Sequence, residues 1–433
     1  MKRNPTIDIL RGIAIFLVVF GHISHIGWTK TYIWGFHIPI FFFISGMLFN
    51  ENKYNSITNF IKSKFKTLII PYGIFYLTTF TYWLVIERHT RGGVTPASQL
   101  IGLFYGTYNL KYMMFNGALW FIPCLFSIEL LYYFIAKIKN NTKIFITIIL
   151  IYIIGFLLRK YTYIAPFGIG AAMIGMIFYG IGHITKNKIK TSYNSKIPIA
   201  ISIFICGMLQ IVLYPFTGAD LATLYLKNAY LYVPIALIGI FLYWQLSILI
   251  KKNRVIEFLG VNSLVIFAFQ EPVYRAIIFI VSKLTHIEIE SIRLSFLLCI
   301  VTSILTIITI LPAIHIWNKK IMPIIKKNIK KLPIIITTHG IGEKRVLLNS
   351  QETSTPLTQI AVTRLKAGEA AEEHLHPTME EFFLFQKGDA SMTVGKEQIT
   401  CSSGDFISIP ANTLHSLKAI TDIEIITIGC AIH

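Results

Sequence analysis

Apolar residues run through most of this chain in blocks of about 18 to 22, the length an α-helix needs to cross about 30 Å of hydrocarbon. The blocks predict about ten spanning helices, over residues 7–27, 32–50, 67–86, 118–136, 144–158, 166–184, 197–214, 230–250, 263–281 and 292–317. After residue 331 the long runs stop. Short segments that alternate apolar and polar positions replace them, at 357–365, 381–385, 391–394, 406–410 and 424–428. Turn residues separate these segments, among them Gly388-Asp389, Gly395-Lys396 and Ser403-Gly404-Asp405. Short strands joined by such turns predict a small antiparallel barrel. The expected fold class is a mostly α, polytopic membrane bundle over residues 1–331 followed by an all-β barrel over 332–433.

Composition agrees with the pattern. The 433 residues are 54 % hydrophobic and 14 % charged, with a mean hydropathy of +0.62, so a bilayer is the solvent for most of the chain. The net charge of +19 would suit a nucleic-acid surface, but the basic residues fall in alternate connections, at 1–3, 53–66, 137–143, 186–196, 251–254 and 319–331. That is the positive-inside pattern. It excludes nucleic acid as a partner and places both termini, and the barrel, on the cytoplasmic side. The first helix begins like a signal peptide, yet Asp8 and Arg11 interrupt it and no small-residue cleavage site follows, so it is expected to be retained. Cys124, Cys206, Cys299, Cys401 and Cys430 form no C-x-x-C pair and suggest neither a disulfide framework nor a zinc knuckle. Richness in Ile and Lys suits an AT-rich genome, and the plan suits a bacterial plasma membrane.

Charge inside a spanning helix is costly and usually faces a bundle interior or an aqueous cavity. The first helix carries Asp8, Arg11 and His22. Arg11 and His22 are about three turns apart, so they share a face with about 16 Å of rise between them, and Asp8 lies one turn before Arg11 on that face. A polar track through the bundle follows. Glu129 and Glu271 also fall within or beside apolar segments.

These residues resemble the acyltransferase-3 membrane family, whose first helix carries Arg, ten residues, then His, as Arg11 and His22 do here. Phe36-His37-Ile38-Pro39-Ile40-Phe41-Phe42-Phe43-Ile44-Ser45-Gly46 is similar to the family's His-Met-Pro-Leu-Phe-Phe-Phe-x-Ser-Gly stretch. Leu119-Trp120-Phe121-Ile122 and Gly260-Val261-Asn262-Ser263-Leu264 resemble two further elements, and a basic segment ending in Pro71-Tyr72 resembles the fucose 4-O-acetylase-like branch. Where relatives often carry a His after the late segment, this chain has Gln270-Glu271-Pro272.

The resemblance implies an enzyme that moves an acyl group, commonly acetyl, from cytoplasmic acetyl-CoA to a hydroxyl of a sugar or cell-surface glycan. The partners it implies are acyl-CoA, a saccharide acceptor and the lipid bilayer. His22 is the candidate general base or transient acyl carrier, since imidazole titrates near neutrality. Arg11 is the candidate for the coenzyme A phosphates, which a guanidinium grips in bidentate fashion, with Lys62, Lys64 and Lys66 as helpers. Asp8, His37, Trp120 and Glu129 are the candidate substrate-binding residues. A transporter or flippase gated by its cytoplasmic barrel is the alternative from another class.

In the tail, Gly368, His374, His376, Glu381 and Gly388 follow the spacing Gly-x5-His-x-His-x4-Glu-x6-Gly, and Gly404, Pro410 and His415 come later. The spacing resembles the two cupin motifs, with Asn412 where a Gly is expected and Ala419 where an Asn is expected. Residues two apart on a strand point the same way, so His374 and His376, with Glu381 and His415, make a three-nitrogen, one-oxygen set suited to Fe, Mn, Ni, Cu or Zn. The role of the barrel, as sensor or as second enzyme, stays open at this stage.

Overall fold

The structure, a computed structural model, describes residues 4–50, 54, 56–109, 111–162, 165–186, 197–318, 328–337, 340–350, 353 and 355–432. Most of the basic connections at 1–3, 187–196 and 319–327 lie outside the described residues. The chain divides into two compact units, Asn4–Met322 and Pro323–His433.

The first unit is helical: α1 (Pro5–Ile23), α2 (Gly27–Trp34), α3 (His37–Met47), α4 (Ile57–Lys64), α5 (Ile70–Tyr82), α6 (Pro96–Tyr105), α7 (Phe121–Ala136), α8 (Asn141–Thr162), α9 (Ile169–Thr185), α10 (Ile197–Leu213), α11 (Ala229–Ile250), α12 (Arg254–Val261), α13 (Ser263–Thr285), α14 (Ile289–Leu294) and α15 (Phe296–Ile316). Among the described residues, nine helical stretches are long and apolar enough to cross a membrane. The segment expected as one helix over 32–50 is instead two short ones, α2 and α3. The backbone breaks at Phe36 (φ −143°, ψ −15°), and Pro39 sits in the first turn of α3, where its missing N–H costs nothing. The segment expected over 67–86 is longer, a continuous helical run Ile57–Glu87 in which wider π turns at Phe65–Ile69 and Trp83–Glu87 flank α5.

In lipid, helices associate largely by close packing, so small residues let backbones approach. Two crossings here use glycines reciprocally. A Cβ on Gly46 of α3 would collide with the Tyr179 carbonyl of α9, and one on Gly182 of α9 with the Phe43 carbonyl of α3. Likewise a Cβ on Gly12 of α1 would strike the Ile256 carbonyl of α12, and one on Gly260 of α12 the Asp8 carbonyl of α1. The far end of α1 is held differently: Arg293 of α14 donates from Nε to Ile23 O and from Nη2 to His22 O, both at 2.9 Å. A small hairpin, β1 (Ala219–Asp220) with β2 (Tyr225–Leu226), joins α10 to α11.

The second unit is all β: β3 (Ile335–Ile336), β4 (Glu343–Asn349), β5 (Leu357–Leu365), β6 (Ala370–His374), β7 (Met379–Lys387), β8 (Ala390–Val394), β9 (Glu397–Cys401), β10 (Phe406–Ile409), β11 (His415–Ala419) and β12 (Ile423–Ala431). They form an antiparallel six-stranded sheet, β10-β7-β12-β5-β4-β3, and a four-stranded one, β6-β11-β8-β9. The sheets share one core, in which Leu365, Phe385 and Ile425 of the first meet Met392, Cys401 and Leu417 of the second. At position 412, where the motif expects Gly, the backbone adopts φ +63°. Asn is among the few other residues that enter this left-handed region readily, so the turn survives the substitution.

Candidate functional site

Near the C-terminal end of α1, His22 donates from Nδ1 to Val18 O at 2.8 Å, because a carbonyl can only accept. That bond holds Nδ1 on the helix backbone and turns Nε2 outward. His37, the first residue of α3, repeats the device, giving Nδ1–H to Ile33 O at 2.8 Å. The two imidazoles lie 6.4 Å apart, with Trp34 packed 5.8 Å from His22 and 6.1 Å from His37. They line a cavity of about 120 Å³ with Tyr108, Trp120, Asp220 and Glu271.

Glu271 Oε1 stands 3.9 Å from His22 Nε2, too far for a hydrogen bond and close enough for strong electrostatic coupling. Local sequence explains its placement. Pro272 has no N–H to give the carbonyl of Ala268, one turn earlier, and Asn116 Nδ2 takes that carbonyl at 2.8 Å. The adjoining Gly117 N–H donates to Glu271 Oε2 at 2.8 Å, and Trp120 lies three residues on, in the same 3₁₀ turn Gly117–Trp120. Arg275, one turn along α13, places Nη1 3.4 Å from Glu271 Oε2. It also grips Glu87 in bidentate fashion, Nε to Oε1 and Nη2 to Oε2 at 3.0 Å each. The Glu271 carboxylate is thus held on one oxygen and presents the other to His22.

The structure brings His22, His37 and Trp120 to one cavity and puts Arg11, Asp8 and Glu129 elsewhere. Arg11 is half-buried and Asp8 buried, on the stretch of α1 that packs against α12. Glu129 lies nine residues beyond Trp120, about 13 Å along α7, and pairs with Lys64 at 2.8 Å. From sequence Glu271 is a secondary candidate alongside Glu129, and Asp220 is not a candidate at all. The signal for Glu271 is a carboxylate followed by Pro within an apolar helix. Asp220 sits on the β1–β2 hairpin, where the apolar pattern gives no cue.

In the barrel, β6 and β11 pair with His415 opposite His374, and Glu381 comes from β7 in the other sheet. One ligand atom from each of His374, His376, Glu381 and His415 lies within 4.8 Å of all the others. His376 Nε2 and His415 Nε2 are 3.4 and 3.3 Å from Glu381 Oε2. Two of the three imidazoles are oriented from behind: His374 Nδ1–H donates to Glu372 O at 2.7 Å and His415 Nδ1–H to Thr413 O at 2.9 Å. Backing bonds of this kind orient the imidazoles toward an ion, and the donor set fits a divalent transition metal. Burial disfavours the charged form of Glu381, but His415 and the neighbouring imidazoles outweigh it and hold its carboxyl below the usual range. Burial also opposes charge on His415, yet the Glu381 carboxylate and the Thr413 carbonyl carry it above the ordinary histidine value. His376 goes the other way, pushed down chiefly by burial. The cluster opens into a cavity of about 290 Å³ whose wall includes Lys344, Gln359, Thr363 and Thr427.

A family model described as an acyltransferase domain matches residues 4–311, and one described as a cupin domain matches residues 361–429. No curated protein matches the chain. Among solved structures, the chain is similar to a "predicted oxalate decarboxylase" from Thermotoga maritima, at 17 % identity over 24 % of this chain and 97 % of that one, with a TM-score of 0.23. It is also similar to the ectoine synthase from P. lautus, at 18 % identity over 25 % and 78 %, TM-score 0.23. A third is the cupin domain of Schizosaccharomyces pombe Cnp3, at 12 % identity over 25 % and 74 %, TM-score 0.22.

Proposed function

The chain belongs to the acyltransferase-3 family, whose domain spans residues 4–311, and from that premise we propose that it is a bacterial plasma-membrane O-acetyltransferase of a sugar or surface glycan. Acetyl-CoA is the donor, held by its phosphates at Arg11, with its thioester reaching the cavity at His22. His22 Nε2 takes the proton of the acceptor hydroxyl as that oxygen attacks the thioester carbonyl. The new C–O bond forms, the C–S bond breaks, and the imidazolium returns its proton to the leaving thiolate. Glu271 stabilises the imidazolium while it exists, and His37 and Trp120 bound the reacting groups. The Pro71-Tyr72 sequence after a basic segment supports the fucose 4-O-acetylase-like branch.

The observation that carries this reading is the aim of His22 Nε2 into a cavity beside a carboxylate. Labelled acetyl-CoA given to membranes with wild type or His22→Ala, with the cell's own glycans present, tests it. Label in saccharide with wild type and none with the variant is expected, and equal transfer by both would remove the central step.

The barrel, on this reading, is cytoplasmic and holds one divalent transition metal at His374, His376, Glu381 and His415. Such an ion supplies open coordination positions for a small oxygen-bearing ligand. The barrel's side chains orient the site and bound the cavity, so it acts as a sensing unit beside the membrane enzyme.

A further inference from the structure

A second cavity in the membrane unit, of about 530 Å³, lies among the ends of α5 and α13 and the short α14. Arg91, Arg275 and Arg293 line it against a single carboxylate, Glu87. The rest of the wall is largely apolar, and Ile86, Phe279 and Ile280 there are 58, 52 and 52 % exposed. Arg275 pairs with both Glu87 and Glu271, and Arg91 reaches Glu87 at 3.5 Å, so three guanidiniums exceed two carboxylates by one positive charge, centred on Arg293, which calls for an anion. Exposed aliphatic and aromatic surface on membrane helices calls for hydrocarbon. One molecule that offers both is a lipid with a phosphate head.

The groove adjoins the His22 cavity through two side chains. Arg275 lines the groove while its Nη1 reaches Glu271, which lines the cavity. Arg293 lines the groove while it holds the carbonyls of His22 and Ile23. Its Nη1 makes no hydrogen bond among the described residues, while Arg91 gives Nη2 to Met114 O at 3.3 Å and sets Nη1 3.5 Å from Glu87 Oε2, which leaves its Nε and its charge to face a phosphate.

We propose that this groove seats a phosphate-bearing lipid, with its phosphate on Arg91 and Arg293 and its chain against Ile86, Phe279 and Ile280, and that this lipid carries the acceptor saccharide to His22. The proposal rests on the acyltransferase reading for its last clause alone. It makes the substrate class a lipid-linked saccharide, whose sugar extends from the groove past Glu271. The hydroxyl that reacts then enters the His22 cavity.

The test is native mass spectrometry of the detergent-solubilised full chain with a short-chain polyprenyl monophosphate, the matching polyprenol and inorganic phosphate as probes. The phosphorylated lipid should bind about tenfold or more tightly than either fragment, since charge-assisted hydrogen bonds and apolar burial each contribute that much. Arg91→Gln, Arg293→Gln and Phe279→Asp should each weaken it about tenfold. Arg91→Gln and Phe279→Asp keep the test readable if loss of the carbonyl contacts unfolds the Arg293 variant. Polyprenol binding as tightly as its phosphate, inorganic phosphate binding as tightly as the lipid, or unchanged binding in the Arg91 and Phe279 variants would each overturn the proposal. Binding is read without any acyl donor, so a chain that binds the lipid but transfers nothing indicts the transferase reading and leaves the groove standing.

Discussion

Replacing Glu271 by Gln keeps the shape of the side chain and an acceptor oxygen for Gly117 N–H, and removes one negative charge 3.9 Å from His22 Nε2. Two unit charges at that distance attract by about 4 kcal/mol at an effective dielectric of about 20. Arg275 Nη1, 3.4 Å from the same carboxylate, offsets part of this field, so about 2 kcal/mol should remain at His22. On the proposed mechanism the imidazolium forms only as the acceptor hydroxyl gives up its proton, so the loss belongs to the transition state. At about 1.4 kcal/mol per factor of ten, kcat should fall about 30-fold with KM nearly unchanged. The assay is steady-state transfer of labelled acetyl to saccharide by purified protein in detergent, with Glu271→Gln compared at equal amounts of folded chain. A loss under about threefold, or one expressed wholly in KM, would refute the electrostatic role.

Three further outcomes are expected. His374→Ala or His415→Ala should abolish stoichiometric metal in the purified full-length protein by elemental analysis, whereas exposed His25→Ala should leave it unchanged. Without metal, the pair of His415 and Glu381 should make β7 and β11 most stable between the ordinary carboxyl and histidine values. Glu381, held low, contributes above its unfolded value and is lost as pH falls through its lowered one. His415, held high, contributes below its unfolded value and is lost as pH rises through its raised one. Hydrogen exchange of the metal-free full chain should therefore speed up in these strands on both sides of that window, and a flat profile would contradict the pairing. Gly260→Ala, which drives a methyl into the Asp8 carbonyl, should cost about 1–3 kcal/mol and lower the melting temperature of the full chain. Gly73→Ala, with open space around it, should not.

The membrane class and the barrel were legible because both rest on periodicity: spanning helices need unbroken apolar length, and strands need alternation between turn residues. β5 was read at its observed ends, Leu357–Leu365. The strands that escaped notice, such as β6 with Ala-Ala-Glu-Glu-His and β4 with its charged ends, lack clean alternation. The break between α2 and α3 was hidden because apolar content is continuous across it and only Gly35 and Pro39 mark the change. His22, His37 and Trp120 could be nominated from motif positions. Glu271 could not be paired with His22 from sequence, since α1 and α13 are some 250 residues apart and their meeting depends on tertiary packing. Glu129 looked equivalent as a buried carboxylate, and its pairing with Lys64 separates it from the cavity.

The two restraints on α1 make it a measuring rod. Backbone contact with α12 grips it around Asp8 and Gly12, and Arg293 grips it at His22 and Ile23, so the helix between has little freedom to shorten, bend or slide. On the proposed reading, a donor anchored by its phosphates at Arg11 presents its thioester at His22, about 16 Å of helix away. Under the proposed division of labour the enzyme therefore selects donors by reach as well as by chemistry. Acetyl on a short thiol would carry the right reactive bond and still be a poor substrate, because it could occupy either end of the rod but never both.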